Sequence, residues 1–572
     1  MKLRHTMMAA AILAAAPAFA AAQSLAVPQH VPADAVAVVS INDTNTMWGN
    51  LAKSPLVGPV KELFALPALQ EGMGELAGAL AEAEAELGFP VNADTMLGDK
   101  VTGVDVYMLP TSDGATVPSI VKVLKFKSAD DAEAIAELVV AELGDGATDA
   151  TTAEVGGATV HSFPTSEFHI AVNGDLIVAG TTAEAVGAAI TSDGKAAILE
   201  SPEFARAMGQ LAERPHQMWV YGAGDQLVDA LGAVVPPDAA SGLNSMKGQT
   251  IAMVGDFQSD FVKLTSFTPK ENFTGAQQVS AANASSNDLK AAAYLPGNSL
   301  LSFTMNYLSA KEHWDATIAD AQKAGPEAQM GLGMIQGSLQ GSEQSLGFSV
   351  FDELFPALGS NMGVSINKLA FNPTIQPPID VDLTLAAQAK DAAKLQEILG
   401  KLEASVNAAL KEQLMATGMA PGDDFSAFIG KESSGQKLRV FKAPEGFDAQ
   451  VPVTPAYTLT DDGFLVFGLS EKGVTDALAR ATGGGETATT SASFQRAQQL
   501  FDTNRNSVTA VNLSAISDTG TNLMLVFGAT QPPDAQAAIN STLKVLKAMG
   551  SVYAVKTYSD AGSIDEFVTV MK

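Results

Sequence analysis

The stretch SPEFARAMGQLAERP (201–215) returns, altered, as SASFQRAQQLFDTNR (491–505). Ser201 and Ser491, Phe204 and Phe494, Arg206 and Arg496, and Ala207 and Ala497 fall in register, 290 positions apart. Each stretch reads as a helix that feeds a strand. One helix written twice predicts an internal duplication, and the rest of the chain supplies the test.

Four further blocks repeat in the same order. VPADAVAVVSIND (31–43) pairs with LPGNSLLSFTMNY (295–307), each a proline-led apolar strand closing on asparagine, Asn42 or Asn306. A helix bearing Trp48 or Trp314 follows each, with Thr44 or Asn45 as expected cap of the first and Ser309 of the second. LGFPV (87–91) pairs with LGFSV (346–350), and Leu97-Gly98 with Leu358-Gly359. SIVKVLKFKSADDAEAIAEL (119–138) pairs with IDVDLTLAAQAKDAAKLQEI (379–398): strand spacing first, helical spacing after. DLIVAGTTAEAV (175–186) pairs with GFLVFGLSEKGV (463–474), where Thr182 or Ser470 caps a helix after a glycine-ended strand. Offsets run 264, 259, 260, 288 and 290. The jump between the third and fourth predicts an insertion near 411–435, read as a surface loop or short helix.

The predicted order in each copy is β-α-β-β-α-β-β-β-α-α-β-α-β-β. Strands joined by tight turns pair antiparallel, and helices between strand groups should cover one face of the sheet. The fold class expected is therefore α+β: two tandem, internally duplicated domains, each a largely antiparallel sheet covered by helices. The expected limits are 1–20 signal peptide, 21–270 first domain, 271–290 an Asn- and Ser-rich linker, and 291–572 second domain. QEGMGELAGALAEAEAEL (70–87) and AQMGLGMIQGSLQGSEQSL (328–346) occupy matching places. The second is rich in glycine, each costing a helix interior about 1 kcal/mol, which predicts a loose element. Its expected role is an ordinary surface helix packed on the sheet; a lid over an apolar cleft, using Met330 and Met334, is the alternative.

The chain opens with Lys2 and Arg4, a short apolar run from Met7 to Ala16, and the small-residue site Ala18-Phe19-Ala20. That is the pattern of a secretory signal peptide cut after Ala20, with Ala22 a second candidate. The apolar run is half the ~20 residues a membrane-spanning helix needs. No later stretch is long and apolar enough to span, so no transmembrane segment is expected after cleavage. The location expected is periplasmic or secreted. The chain contains no cysteine, which removes disulfides, thiolate chemistry and lipidation through cysteine. A net charge of −29 repels phosphate backbones and anionic headgroups, so nucleic acid is not an expected partner.

The Pro-led strand, the Asp94…Leu97-Gly98 and Asp352…Leu358-Gly359 blocks and the Phe-x-Arg-Ala helix together resemble an exported bacterial family known only as a domain of unknown function. The resemblance covers most of each copy. It implies an envelope location and an α+β fold, and brings no catalytic residue with it.

His161 and His169 flank SFPTSEF, but a zinc site takes three or four ligands. Ser365 and Lys368, like Ser434 and Lys437, satisfy Ser-x-x-Lys without the companion motifs that chemistry needs. Gly222-Ala-Gly224 follows a strand but lacks the third glycine of a dinucleotide loop. Asp145, Asp149 and Glu154 lack calcium-loop spacing, and Asp461-Asp462 sits in a hairpin turn. Catalytic, cofactor-binding and metal sites are accordingly expected to be none, and the only processing site named is Ala20. The expected function is a non-catalytic exported binding or scaffold protein for an unknown ligand or envelope protein. The alternatives are a hydrolase whose site forms only in the fold, and a carrier of apolar molecules.

Overall fold

The computed structural model describes residues 28–66, 92–110, 118–144, 151–155, 158–163, 168–191, 197–232, 246–284, 288–324, 326–372, 379–418, 422, 424–444, 453–502, 505–527 and 531–572. The signal-peptide reading with Ala20, the 70–87 helix, LGFPV, and Asp145 and Asp149 fall outside these residues. The chain divides into two compact units. The first comprises residues through Asn272 with Pro533–Val545 and Met571–Lys572; the second comprises Phe273–Pro532 and Leu546–Val570.

In the first unit the strands are β1 Ala37–Ile41, β2 Val101–Leu109, β3 Ser119–Phe126, β4 Thr151–Val155, β5 Ala158–Phe163, β6 Phe168–Asn173, β7 Leu176–Gly180, β8 Met218–Ala223, β9 Thr250–Phe257 and β10 Phe261–Pro269. They pair antiparallel in the order β10-β9-β8-β1-β2-β3-β7-β6-β5-β4. Its helices include α1 Thr44–Leu51, α2 Ala129–Gly144, α3 Ala183–Thr191 and α4 Pro202–Gly209. The second unit holds β11 Leu301–Asn306, β12 Leu358–Phe371, β13 Ile379–Ala389, β14 Phe428–Ser433, β15 Gln436–Phe441, β16 Ala456–Leu459, β17 Phe464–Gly468, β18 Ser507–Asn512, β19 Ser551–Tyr558 and β20 Gly562–Val570. Their antiparallel order is β20-β19-β18-β11-β12-β13-β17-β16-β15-β14. Its helices include α5 Ala310–Ala324, α6 Pro326–Leu346, α7 Ala392–Ala416, α8 Glu471–Ala481 and α9 Ala492–Gln498. The class is α+β, built on antiparallel sheet.

Helices cover both faces of each sheet, where one covered face was expected. Alternation along the strands separates two cores. In the first unit Val104, Leu124, Ile177 and Ala179 meet Ala132, Ile135 and Leu138 of α2. Residues of the opposite parity face α3 and α4: a Cβ on Gly180 would stand 3.0 Å from a Val186 methyl. Phe204 of α4 lies edge-on to Trp219 and Tyr221, ring centroids 5.6 and 5.0 Å away. The second unit repeats the arrangement. Leu395 and Ile398 of α7 pack with Tyr457 and Leu465. On the other side Val474 and Leu478 of α8 pack with Ala386, Val440 and Val466. A strand buried on both sides has no polar face, which is why FLVFG (464–468) and LIVAG (176–180) read as unbroken apolar runs.

Four other expectations need correction. Among the described residues each unit has four strands, not three, between its two central helices. The added strand β4 is exposed along nearly its whole length, so no apolar alternation announces it. The described residues of 411–435 are more than a loop or short helix: α7 runs on to Ala416, and β14 forms a hairpin with β15. That hairpin turns on Ser434 and Gly435, both at positive φ (52° and 75°), the backbone twist of a two-residue turn. The 328–346 stretch forms a continuous helix of 21 residues, α6, with neighbours α5, α7 and the turn Val350–Leu354. Its glycines line open space, and its end is tied by Glu343, which accepts from Ser349 Oγ at 2.8 Å and from the Val350 amide at 2.9 Å. Finally Asp43, not Thr44 or Asn45, caps α1, accepting from the Thr46 amide at 3.0 Å. Ser309 caps α5, and Glu312 answers it by accepting from the Ser309 amide at 2.9 Å.

Ser201 and Ser491 each cap their helix, accepting from the Phe204 or Phe494 amide at 3.4 Å. Replacing either serine by alanine should lower stability by about 1 kcal/mol. Phe204→Ala and Phe494→Ala, each emptying a fully buried site, should cost about 3–5 kcal/mol. Urea unfolding followed by Trp219 fluorescence checks the first-unit pair, and circular dichroism the second; equal losses for the serine and phenylalanine variants would contradict this packing.

Candidate functional site

Each unit has a cleft between the helix that follows its third sheet strand and the outer strands of the sheet. In the second unit the cleft lies beneath α7. The helix carries Ile398, Leu399, Leu402 and Val406 at three- and four-residue steps, which puts them on one face. Opposite stand Leu385, Phe441, Tyr457 and Phe467 from β13, β15, β16 and β17, and Phe348 adds to the lining. The strand register places Leu385 beside Phe467 and Phe467 beside Tyr457, one row across the sheet. The cavity measures about 480 Å³, and every side chain lining it is aliphatic, aromatic or proline. Leu354, Leu399 and Leu402 are only half-buried, so the cavity is open to solvent.

At its edge stands a polar cluster. Arg439 donates through Nε and Nη2 to the two oxygens of Glu403, at 2.6 and 2.5 Å. The Tyr457 hydroxyl donates to Glu403 Oε1 at 2.5 Å. Tyr457 thus gives its ring to the cavity and its hydroxyl to the rim. Burial first, then the hydrogen bond and negative charge of Glu403, push the Tyr457 phenol well above its ordinary value.

In the first unit the matching cleft lies beneath α2 and measures about 490 Å³. Ala136 and Val140 of the helix and Ile170 and Val172 of β6 line it, but so do Glu133, Glu137 and His161. Both glutamates are exposed. The two clefts therefore share a place in the sheet order and differ in chemistry.

The residues singled out from sequence are dispersed. His161 pairs across from Ile170 and His169 across from Ser162, so adjacent register positions point the two imidazoles to opposite faces. His169 Nδ1 lies 2.9 Å from Ser162 Oγ, and burial lowers its pKa. Among the described residues no three His, Asp or Glu side chains are grouped to hold a metal ion. Ser365 donates to Asn367 Oδ1 at 2.7 Å, while Lys368 turns to Asp380, so this Ser-x-x-Lys forms no couple. Ser434 is a turn residue. Gly224 is needed because a Cβ there would stand 2.0 Å from the Met246 carbonyl oxygen; the loop closes on its own backbone. Asp462 accepts from Tyr294 at 2.9 Å and Thr460 at 2.5 Å, Asp461 from Gln436 at 3.0 Å, and Glu154 from Thr159 at 2.6 Å. Asp94 accepts from the Trp48 indole at 2.5 Å, and that ring covers Gly98. The Asp…Leu-Gly block of the first unit is thus a seat for the tryptophan. In the second unit Trp314 instead stacks on Phe351, centroids 4.5 Å apart.

A family model described as a protein of unknown function (DUF3352) matches residues 99–419, from β2 through α7 and more than half of the chain. The chain belongs to that family. No curated protein and no solved structure matches it. The family description carries no activity, so the chemistry of the clefts stands on their residues. Also, among the described residues no helix is long and apolar enough to cross a membrane.

The apolar cleft escaped the sequence reading although its parts did not. Leu395 and Ile398 are legible as helical spacing, and β17 as an apolar strand. What no spacing reveals is that half-buried leucines of α7 stand off from the sheet rather than filling it.

Tyr457 gives the cleft a spectroscopic handle. Subtracting the alkaline ultraviolet titration of Tyr457→Phe from that of the native chain should show one phenol ionising well above the ordinary value of about 10. The folded state holds that proton more tightly than the unfolded one. The stability this contributes is therefore complete below about pH 10 and lost as pH rises through the folded value. A difference curve centred on the ordinary value would contradict the Glu403 contact.

Proposed function

We propose that this chain is an exported, non-catalytic binding protein, periplasmic or secreted, whose second unit takes up an apolar molecule beneath α7. The observation that carries the reading is the cleft itself: about 480 Å³, open to solvent and lined wholly by apolar side chains. That volume falls in the usual range for small-molecule sites, about 300–1,000 Å³. Apolar surface left open to water is unfavourable by about 25 cal/mol per Å². An aliphatic or aromatic ligand removes that surface from water, and the wall supplies no group to react with it. The Arg439–Glu403–Tyr457 cluster borders the cleft without lining it with charge.

Duplication belongs to the same proposal. Among the described residues, ten strands taken in identical succession in both units, with capped Phe-x-Arg-Ala helices at equivalent places, support descent from one copied unit. The unlike clefts then represent divergence, one copy keeping an apolar wall and the other acquiring Glu133, Glu137 and His161. Export rests on the charged, apolar and small-residue pattern ending at Ala20.

The test is binding of phenylnaphthylamine, a fluorescent apolar probe, to the purified chain, with native mass spectrometry for co-purifying species. Leu402→Glu, which sets a charge in the wall, and Val406→Trp, which fills the space, should each weaken binding at least about tenfold. Circular dichroism confirms that both variants are folded. Equal affinity in the native and both variant chains would sink the proposal.

A further inference from the structure

The wall of the cleft beneath α7 is divided by chemistry as well as by element. The helix supplies Ile398, Leu399, Leu402 and Val406, all aliphatic. The sheet supplies the rings of Phe428, Phe441, Tyr457 and Phe467, one from each of β14, β15, β16 and β17, and Phe348 adds a fifth ring. Five of the thirteen described lining residues are therefore aromatic, in a chain whose aromatic content is 6%. Register explains the grouping. Phe428 pairs with Phe441 and Tyr457 with Phe467, which makes two cross-strand couples. Phe441 stands two positions from Arg439, the partner of Tyr457, so both couples share one face of the sheet.

These rings already meet in the geometry that aromatic groups prefer. Phe428 lies edge-on to Phe441 and Tyr457, with centroids 5.6 and 6.3 Å away and planes at 69° and 61°. None of the rings is sealed. Phe348, Phe428, Phe441 and Tyr457 keep 8 or 9% exposure and Phe467 is half-buried, so a molecule in the cavity can touch them. The fold itself does not demand rings here. The first-unit cleft holds the same place in the sheet order, and its described lining contains no phenyl or phenol ring, only Ile170, Val172 and other small apolar side chains beside its polar groups.

We infer that the molecule taken up beneath α7 is a planar, fused-ring aromatic, held between the ring-bearing strands and the aliphatic face of the helix. This rests on the uptake proposed above and narrows it, since an alkyl chain would satisfy that reading equally well. A ring against rings gains attraction beyond the area it buries, and an alkyl chain does not. The described wall also favours hydrocarbon over polar substituents. Its hydroxyl, on Tyr457, is donated to Glu403, so a ligand oxygen or nitrogen pressed against that floor gains no hydrogen bond from it.

The experiment is displacement of phenylnaphthylamine by naphthalene and by decalin, its saturated counterpart on the same carbon skeleton. The two differ in solubility, so their affinity ratio is compared between chains, where the cost of leaving water cancels. Phe467→Leu and Phe441→Leu each keep an apolar side chain and remove a ring. Each should lower the naphthalene-to-decalin ratio about threefold or more, with decalin itself little changed. Leu402→Met, on the helix side, should leave the ratio as it is. Circular dichroism confirms folding, and the two phenylalanines lie on different strands, so one variant still reads the ratio if the other does not fold. A ratio unchanged by ring removal, or lowered as far by Leu402→Met, overturns the aromatic assignment and leaves apolar uptake standing. Displacement by neither hydrocarbon overturns the uptake itself.

Discussion

Everything in this chain depends on sheets that are sealed by helices on both faces. An antiparallel sheet of ten strands has two broad surfaces, and leaving either in water would expose a continuous apolar area. In each unit one helix after the third sheet strand seals one surface, and helices after the seventh and before the eighth seal the other. The close approach on the second surface requires glycine: Gly180 and Gly468 both stand where a Cβ would meet a helix valine, Val186 or Val474, at 3.0 Å. The clefts arise where the first of these seals is incomplete, so the sites are by-products of the same constraint that makes the fold.

Much of this architecture is legible in the residues. The capped Phe-x-Arg-Ala helices, the glycine-ended strands before Thr182 and Ser470, and the Asn42 and Asn306 strand ends all lie where their chemistry puts them. The missed features share a physical cause: strand β4 exposes nearly all its side chains, and the sequence pattern of a strand is visible only when one face is buried. Helix α6 defeats its glycines because Glu343 and neighbouring helices fix it, tertiary contacts outweighing a propensity cost of about 1 kcal/mol per glycine. Coverage of both faces was foreshadowed in the unbroken apolar runs of β7 and β17, a signal normally associated with parallel sheets.

The sites were harder to read than the fold because they depend on distances between residues remote in sequence. Leu385, Leu402 and Tyr457, which line the cleft beneath α7, come from three separate elements of the chain, and nothing local marks the space between them. The paired motifs fail on placement: adjacent register positions send His161 and His169 to opposite faces, Ser365 and Lys368 take separate partners in Asn367 and Asp380, and Ser434 sits in a hairpin turn. Family membership narrows the fold without narrowing the chemistry, and leaves the lining residues to speak for themselves.

Strands β4 and β14 close their sheets at one end, and their construction bears on how such broad sheets avoid growing. Both are short. β14 carries Lys431 and Glu432, with Lys431 bound to Glu471 at 2.7 Å, and it ends in the strongly twisted Ser434-Gly435 turn. A foreign strand seeking to extend the ladder there meets charge and curvature instead of a flat apolar ribbon. The exposed polar rim that hid β4 from the pattern of the sequence is thus the same feature that guards the molecule against edge-to-edge polymerisation.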